Sequence, residues 1–431
     1  MTRALIRHLL SSSPDVTRSL HAEHVNPAYG EGVGLLGFGR DLVRAEGVRV
    51  IDAEGREILD FAGGDGASAL GHGHPDVRAA LEEALGASVP HFLPADPQPL
   101  KSALAERLAE LAPGDLSVTT LTSSNAEALE AALRLARAAT RRPRFLAAER
   151  APHPGRFHAF VPYGELAPLE KALRRRDVAA FVVEPVQVEG GIRLPPPGYL
   201  VEAARLCRRA GTLLVADETV TGLGRTGLLW ACEHEGVEPD ALLLGNGLSG
   251  GVAPVAALLT RRDLLARAWS RLDGEDLAGG SAFAGGTLAC AAALATLEVL
   301  RRDALCAHAA QVGRLLGERL AAATSARPLV REVRGRGLLW GIELSPPAGA
   351  ALVAEWVVMA MWRRGFFTRV CSGAPHVLAL QPPLLMDRAG VEALAAGLEA
   401  TLTQDAPGTV VSLARAATAV LRGTVTRFLE A

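Results

Sequence analysis

Lysine is almost missing from this chain. Of its 45 basic residues two, Lys101 and Lys171, are lysines, and the rest are arginines. A reaction that needs a lysine nucleophile therefore has two candidates. Both fall in charged helical stretches, LKSALAERLAEL and PLEKALRRR, and read as solvent-facing, whereas a nucleophilic lysine needs burial or a cationic neighbour to depress its pKa. Cysteine is scarce too. The five thiols (Cys207, Cys232, Cys290, Cys306, Cys371) form no CxxC pair and have no histidine at metal spacing, which points to reduced, buried thiols and away from a disulfide or metal framework. A net charge of −2 with no basic run argues against a nucleic-acid partner. Runs of eighteen apolar residues are absent, and the apolar N-terminal pairs Leu5–Ile6 and Leu9–Leu10 are split by Arg7 and His8. Neither a membrane span nor a signal peptide is expected, and the expected location is the cytoplasm.

What the chain does have is a strong α/β signal between Gly211 and Gly251. An apolar run, Leu213–Val215, ends in Asp217 and Glu218; a turn rich in glycine (Gly222, Gly224, Gly227) follows, then a second apolar run, Ala241–Leu244. Short apolar runs bounded by turns read as buried parallel strands. Ligands of such sheets collect at the carboxyl ends of the strands, where Asp217, Glu218 and Asn246 fall. Elsewhere GVRVIDAEGREILDF alternates about a turn at Ala53–Gly55 and predicts a hairpin. Helical periodicity covers Leu100–Leu111, Glu127–Ala139, Tyr199–Ala210 (stopped by Gly211) and Leu288–Arg301, and Phe181–Val186 reads as a strand. His72 and His74 stand before Pro75 without a third ligand nearby, so they read as turn packing and not as a metal pair. Beyond Gln404, Leu413, Ala417, Leu421, Val425 and Phe428 predict an amphipathic helix docked on the protein's own surface.

The 211–251 stretch resembles the class III aminotransferases, pyridoxal phosphate (PLP) enzymes of fold type I. The carriers are the strand ending in Asp-Glu, then TGLGRTG, CEHE and a second strand leading into GNGLSGG, supported by GHGHP, EGG with PPPGYL, TLACAAA and VREVRGRGLLWGIEL. The likeness extends over nearly the whole chain, residues 20–404. It implies an α/β fold with a three-layer large domain, built on a mainly parallel sheet, plus a small α+β domain. The expected boundaries are 1–55 for the N-terminal part of the small domain, 56–320 for the large domain, 321–404 for the rest of the small domain and 405–431 for the tail. A homodimer is implied as well, because the family builds each pocket from two subunits.

By the same resemblance Asp217 corresponds to the residue that pairs with the PLP pyridine nitrogen, but the Schiff-base lysine position is Asn246, and an amide cannot form an imine. Ser124, Asn125 and Ala126 stand where Ser-Gly-Thr holds the phosphate at a helix start, and Asn125 reads as the helix N-cap. Val220 replaces a glutamine that reaches the phenolic oxygen, Ala282 a threonine that crosses to the partner's phosphate, and Ala379 the arginine that binds a substrate carboxylate. His153 and His158 are not in the aromatic-His-Gly context whose ring stacks on the pyridine. Asp65 stands at the substrate entry, where an apolar or aromatic residue is usual, and Glu189 is expected to lack its cation, since that partner is now Ala379.

These departures lead to the expectation of no cofactor. Three acids, Asp65, Glu189 and Asp217, would share a desolvated pocket and push one another's pKa upward. The expected function is a PLP-independent enzyme of bacterial small-molecule biosynthesis, acting by acid/base cyclisation, dehydration, isomerisation or condensation. A second reading is a non-catalytic protein that pairs with an active aminotransferase. A third keeps PLP bound without a covalent link, with an external amine supplying the imine nitrogen.

Overall fold

The computed structural model describes residues 5–6, 9–10, 12–26, 42–91, 97–271, 283–345 and 350–404. The expected tail helix beyond Gln404 lies outside the described residues. After a helix over Pro14–His24 (α1), the predicted hairpin forms: β1 (Leu42–Glu46), β2 (Arg49–Asp52) and β3 (Glu57–Asp60) pair antiparallel. Two helices follow, α2 (Pro75–Gly86) and α3 (Pro99–Leu111). His74 caps α2, its Nδ1 accepting the Asp76 amide, and His72 lies 3.0 Å from Asp60, so both histidines serve packing.

The centre of the molecule is a seven-stranded sheet made of β4 (Val118–Thr122), β5 (Arg144–Ala148), β6 (Ala159–Val161), β7 (Val178–Val183), β8 (Leu213–Asp217), β9 (Ala241–Leu244) and β10 (Ala256–Thr260). Its order is β4-β10-β9-β8-β7-β5-β6, with β10 antiparallel to both neighbours and the other pairings parallel. The central strands β7, β8, β9 and β10 are buried on both faces, as their apolar runs require. Ala180 and Val182 of β7 and Leu213 and Val215 of β8 face one apolar cluster with α4 (Asn125–Thr140). Phe181, Val183 and Leu214 face the other, with residues of α5 (Leu166–Leu173) and α6 (Tyr199–Ala210). Alternate residues of one strand thus feed two cores, and the result is a three-layer α/β sandwich. β7 ends at Val183, earlier than the predicted Val186, because Pro185 has no amide to continue the ladder.

Helices α7 (Arg262–Ala268), α8 (Thr287–Arg302) and α9 (Leu305–Thr324) follow. β11 (Val330–Arg336), β12 (Leu339–Leu344), β14 (Arg369–Cys371) and β15 (Ala374–Leu380) form a second sheet, ordered β11-β12-β15-β14. Helix α10 (Ala350–Arg363) precedes β13 (Phe366–Phe367), which returns to pair parallel with β3, and α11 (Arg388–Gln404) ends the described chain. Among the described residues no helix is long and apolar enough to cross a membrane.

The turn after β8 is locked against this second sheet. Arg225 is fully buried and donates to the carbonyls of Leu338 and Pro382, and burial lowers its pKa to about 10. Gly337 lies against Arg225 and Thr226, and Gly313 of α9 against the Gly337 backbone, where an added Cβ would sit 2.1 Å from the Gly337 oxygen. Because the obstacle is backbone, Gly313→Ala has no side chain to displace. It is expected to cost about 2 kcal/mol by overpacking, measured as a lower urea midpoint at unchanged slope.

Candidate active site

The carboxyl ends of β8 and β9 and the start of α4 converge as expected of an open α/β sheet. Ser124, not Asn125, caps α4: its Oγ accepts the Glu127 amide at 3.3 Å, and Glu127 answers by accepting the Ser123 amide at 2.8 Å. This reciprocal cap fixes the helix start and corrects the expectation for Asn125, which is the first helical residue. The amides of Asn125 and Ala126 have no acceptor among the described residues, and they sit at the positive end of a 16-residue helix dipole.

Asn125 turns its side chain inward, donating from Nδ2 to Asn246 Oδ1 at 2.6 Å. Asn246 in turn donates to the Asp65 carbonyl at 2.8 Å. Gly245 permits this closeness, since a Cβ there would fall 1.8 Å from Asn125 Oδ1. Ser124, Asn125, Ala126 and Asn246 line one cavity of about 540 Å³, together with His153 and Ser249. Val220 stands beside it against Gly66, and Ala282 lies outside the described residues.

Asp217 is 5% exposed. Its Oδ1 accepts from the Thr219 amide at 3.1 Å and hydroxyl at 2.6 Å, whereas Oδ2 accepts no hydrogen bond from any described residue. Burial raises its pKa, and the Thr219 hydrogen bonds and the His153 charge oppose that only in part. Glu184 is raised further, chiefly by burial and then by Asp217 itself. Glu218 is framework: it accepts the Cys232 amide at 2.8 Å and the Thr221 hydroxyl at 2.5 Å.

The three acids expected to share one desolvated pocket do not. Glu189 has a cation: Arg369 of β14 donates to it at 2.6 and 3.2 Å, and the Ser372 amide and hydroxyl donate at 2.7 and 2.8 Å. Burial alone would raise Glu189, but these partners outweigh it and hold the carboxyl below its ordinary range. Asp65 joins the same arginine, 2.8 Å from its Nε, in an ion pair not aligned as a hydrogen bond. Asp65 and Glu189 are therefore a compensated acid–arginine–acid bridge, and Asp217 stands apart from them. The expectation that Glu189 lacks a cation, and the mutual pKa elevation built on it, are corrected.

Two residues of the site escaped the sequence. Arg369 is the register partner of Ala379 across β14 and β15, so a guanidinium reaches Glu189 from the strand beside Ala379. His153 was set aside for its context, yet it lines the cavity and acts on Asp217. A strand pairing is not written in one sequence, and the left-handed conformation of His153 runs against the extended bias of a residue before proline, so neither carried a sequence signal. Neither lysine reaches the cavity: Lys171 is exposed, and Lys101, expected to face solvent, is half-buried with its methylenes against Gly285.

PLP matches this geometry at two places: Asp217 Oδ2, on a buried carboxylate and without a hydrogen bond from any described residue, suits a protonated pyridine nitrogen, and the amides of Asn125 and Ala126, without an acceptor among the described residues, suit a phosphate. The comparisons agree. The chain is 34% identical over 377 residues to Aminotransferase PigE of a Serratia species, an alignment spanning 82% of this chain and 44% of that relative, so the chain spans less than half its length. Its fold superposes on acetylornithine aminotransferase from Elizabethkingia anophelis with a TM-score of 0.80 at 29% identity, covering 91% and 100% of the two chains. It also superposes on a Toxoplasma gondii ornithine aminotransferase described with partial occupancy of PLP at its active site, with TM-score 0.82, 28% identity, and 96% and 99% covered. These likenesses indicate PLP as the cofactor and overturn the expectation of none. The protein-family model described as Aminotransferase class-III matches residues 37–165 and 162–402; the chain belongs to the class III aminotransferases.

Proposed function

We propose that this chain binds PLP without a covalent link and works on a small amine or carbonyl substrate in that cavity. The observation that carries the reading is the buried, half-unpartnered carboxylate of Asp217 beside a cavity floored by a free helix start. PLP supplies, when bound, an electron sink for bonds at the carbon next to an amine. Asp217 would hold a proton on the pyridine nitrogen, because an ion pair offsets the desolvation that now raises its pKa. Ser124 and the amides of Asn125 and Ala126 would hold the phosphate.

At residue 246 the protein offers an amide, tied between Asn125 and Asp65, so an external amine must supply the nitrogen. His153 is the imidazole that lines the cavity and is placed to pass a proton to or from the substrate. Arg369 stands at the Asp65 side of the site and is suited to an acidic substrate group exchanging with one of its two carboxylates. The aminotransferases this chain resembles support an amino-group transfer on a small molecule, and the family's pairing of subunits supports a homodimer.

The test is a PLP titration followed by absorbance and by mass after borohydride. Wild type is expected to bind PLP reversibly and to gain no mass on reduction, while Asn246→Lys gains the reduced cofactor. Absence of a saturable spectral change in wild type would overturn the proposal, and so would borohydride fixation to Lys101 or Lys171.

A further inference from the structure

A second cavity, of about 520 Å³, lies between the loops at the sheet's carboxyl edge and the second sheet. It shares no residue with the cofactor cavity. Arg150 follows β5 directly, and Arg193 follows the Gly190–Ile192 turn; Arg331, Arg334 and His376 reach in from β11 and β15. Four guanidiniums therefore line this cleft against two carboxylates, Glu332 and Glu343.

The acids are already in use. Glu343 accepts from Arg331 at 2.9 Å and Arg334 at 2.5 Å, with His376 3.9 Å away, and Glu332 accepts from Arg334 at 2.6 Å. Arg334 is further held by the Gly191 and Ile192 carbonyls. Arg150 and Arg193 have no such partner. Arg150 makes one long bond of 3.4 Å to the Gly190 carbonyl, Arg193 lies 5.5 Å over the Tyr163 ring, and neither meets a carboxylate among the described residues. Like charges so gathered repel one another, and the planar fork of arginine matches an oxyanion.

We infer that this cleft is a binding site for a multiply charged oxyanion, a phosphate ester or a dicarboxylate, which joins Arg150 and Arg193 to the β11–β15 sheet through His376. Two surplus positive charges call for a ligand of at least two negative charges. Two bidentate arginine contacts would bind it. The ligand would also clamp the 190–194 turn, one residue from Glu189, and so report on the bridge to Arg369.

The experiment is calorimetric titration of the full chain with inorganic pyrophosphate and, separately, with citrate, at fixed ionic strength. One saturable site is expected for at least one probe; pyrophosphate alone assigns a phosphate group, citrate alone carboxylates. The double variant Arg150→Gln/Arg193→Gln is expected to weaken binding by about tenfold or more. Glu332→Gln, which removes a competing acid, is expected to tighten it by about twofold or more; because it gains affinity, it guards against loss through misfolding. Failure of both probes to saturate would overturn the site, as would equal affinity in wild type and the double variant, which would put the anion elsewhere, for instance at the start of α4.

Discussion

Asp217→Asn is expected to weaken PLP binding about a hundredfold while leaving the cofactor-free protein at least as stable as wild type at neutral pH. The two effects have opposite signs for one reason. In the fold the carboxylate is buried, with one oxygen satisfied by Thr219 and the other bonded to no described residue, so burial disfavours its ionised form and its pKa lies above the ordinary value. A raised carboxyl pKa means that the folded state binds the proton more tightly than the unfolded state. Ionisation therefore costs stability as pH rises above the unfolded pKa, until the folded group has also lost its proton. Asparagine removes that cost and keeps an oxygen for Thr219. With a pyridinium opposite, the same carboxylate becomes half of a desolvated ion pair, and truncating one partner of such a pair costs about 2–5 kcal/mol, about thirtyfold to a few thousandfold in affinity. Absorbance titration gives the affinity, and thermal unfolding at several pH values gives the stability. A variant that binds PLP as tightly as wild type would remove Asp217 from the cofactor site; one that binds it poorly because it is unfolded would show no cooperative transition.

What the sequence made legible and what it hid divide along a physical line. Strands β7, β8 and β9, the Gly211 stop of α6 and the hairpin at 49–60 were readable because each is fixed by local pattern: apolar runs, a left-handed glycine cap, alternation about a turn. The place of Asn246 in the cavity lining followed from strand-end logic, whereas that of Ser124, Asn125 and Ala126 followed from the family resemblance. Arg369 was hidden because its importance depends on a cross-strand register with Ala379 and on a side chain long enough to reach Glu189 from the next strand. Reading position 379 alone suggested an uncompensated acid, and from that came three acids in one pocket, two of which the fold instead pairs with Arg369. His153 was hidden for a related reason: a motif comparison asks for a residue in a set order, whereas the cavity asks only for a ring at a place. The error over the cofactor had the same root, since losses at individual contacts were counted without the groups that remain, the Asp217 oxygen and the free amides of α4.

Arg369→Gln carries the other large effect, and its signature is a change in the acid limb of stability. Glu189 is about one-third exposed and Arg369 less so, at 32% and 17% of their side chains, so the bridge is partly screened. Removing the guanidinium leaves Glu189 with Ser372 alone and Asp65 without a partner. Loss of one member of a buried pair typically costs about 3–5 kcal/mol, and partial exposure lowers that to ~2 kcal/mol here. Because Glu189 is held below its ordinary pKa of 4.5, its contribution is present above the unfolded pKa and disappears as pH falls through the folded one. Wild type should therefore lose stability on acidification across and below that range, and Arg369→Gln should start lower and lose less. A double-mutant cycle with Glu189→Gln isolates the pair from the packing of the arginine's methylenes. If the two single variants add, with no coupling and no change in the acid limb, Arg369 is held by packing and not by its charge. If they couple, the arginine on β14 has taken over the charge role that the sequence could only register as missing at 379.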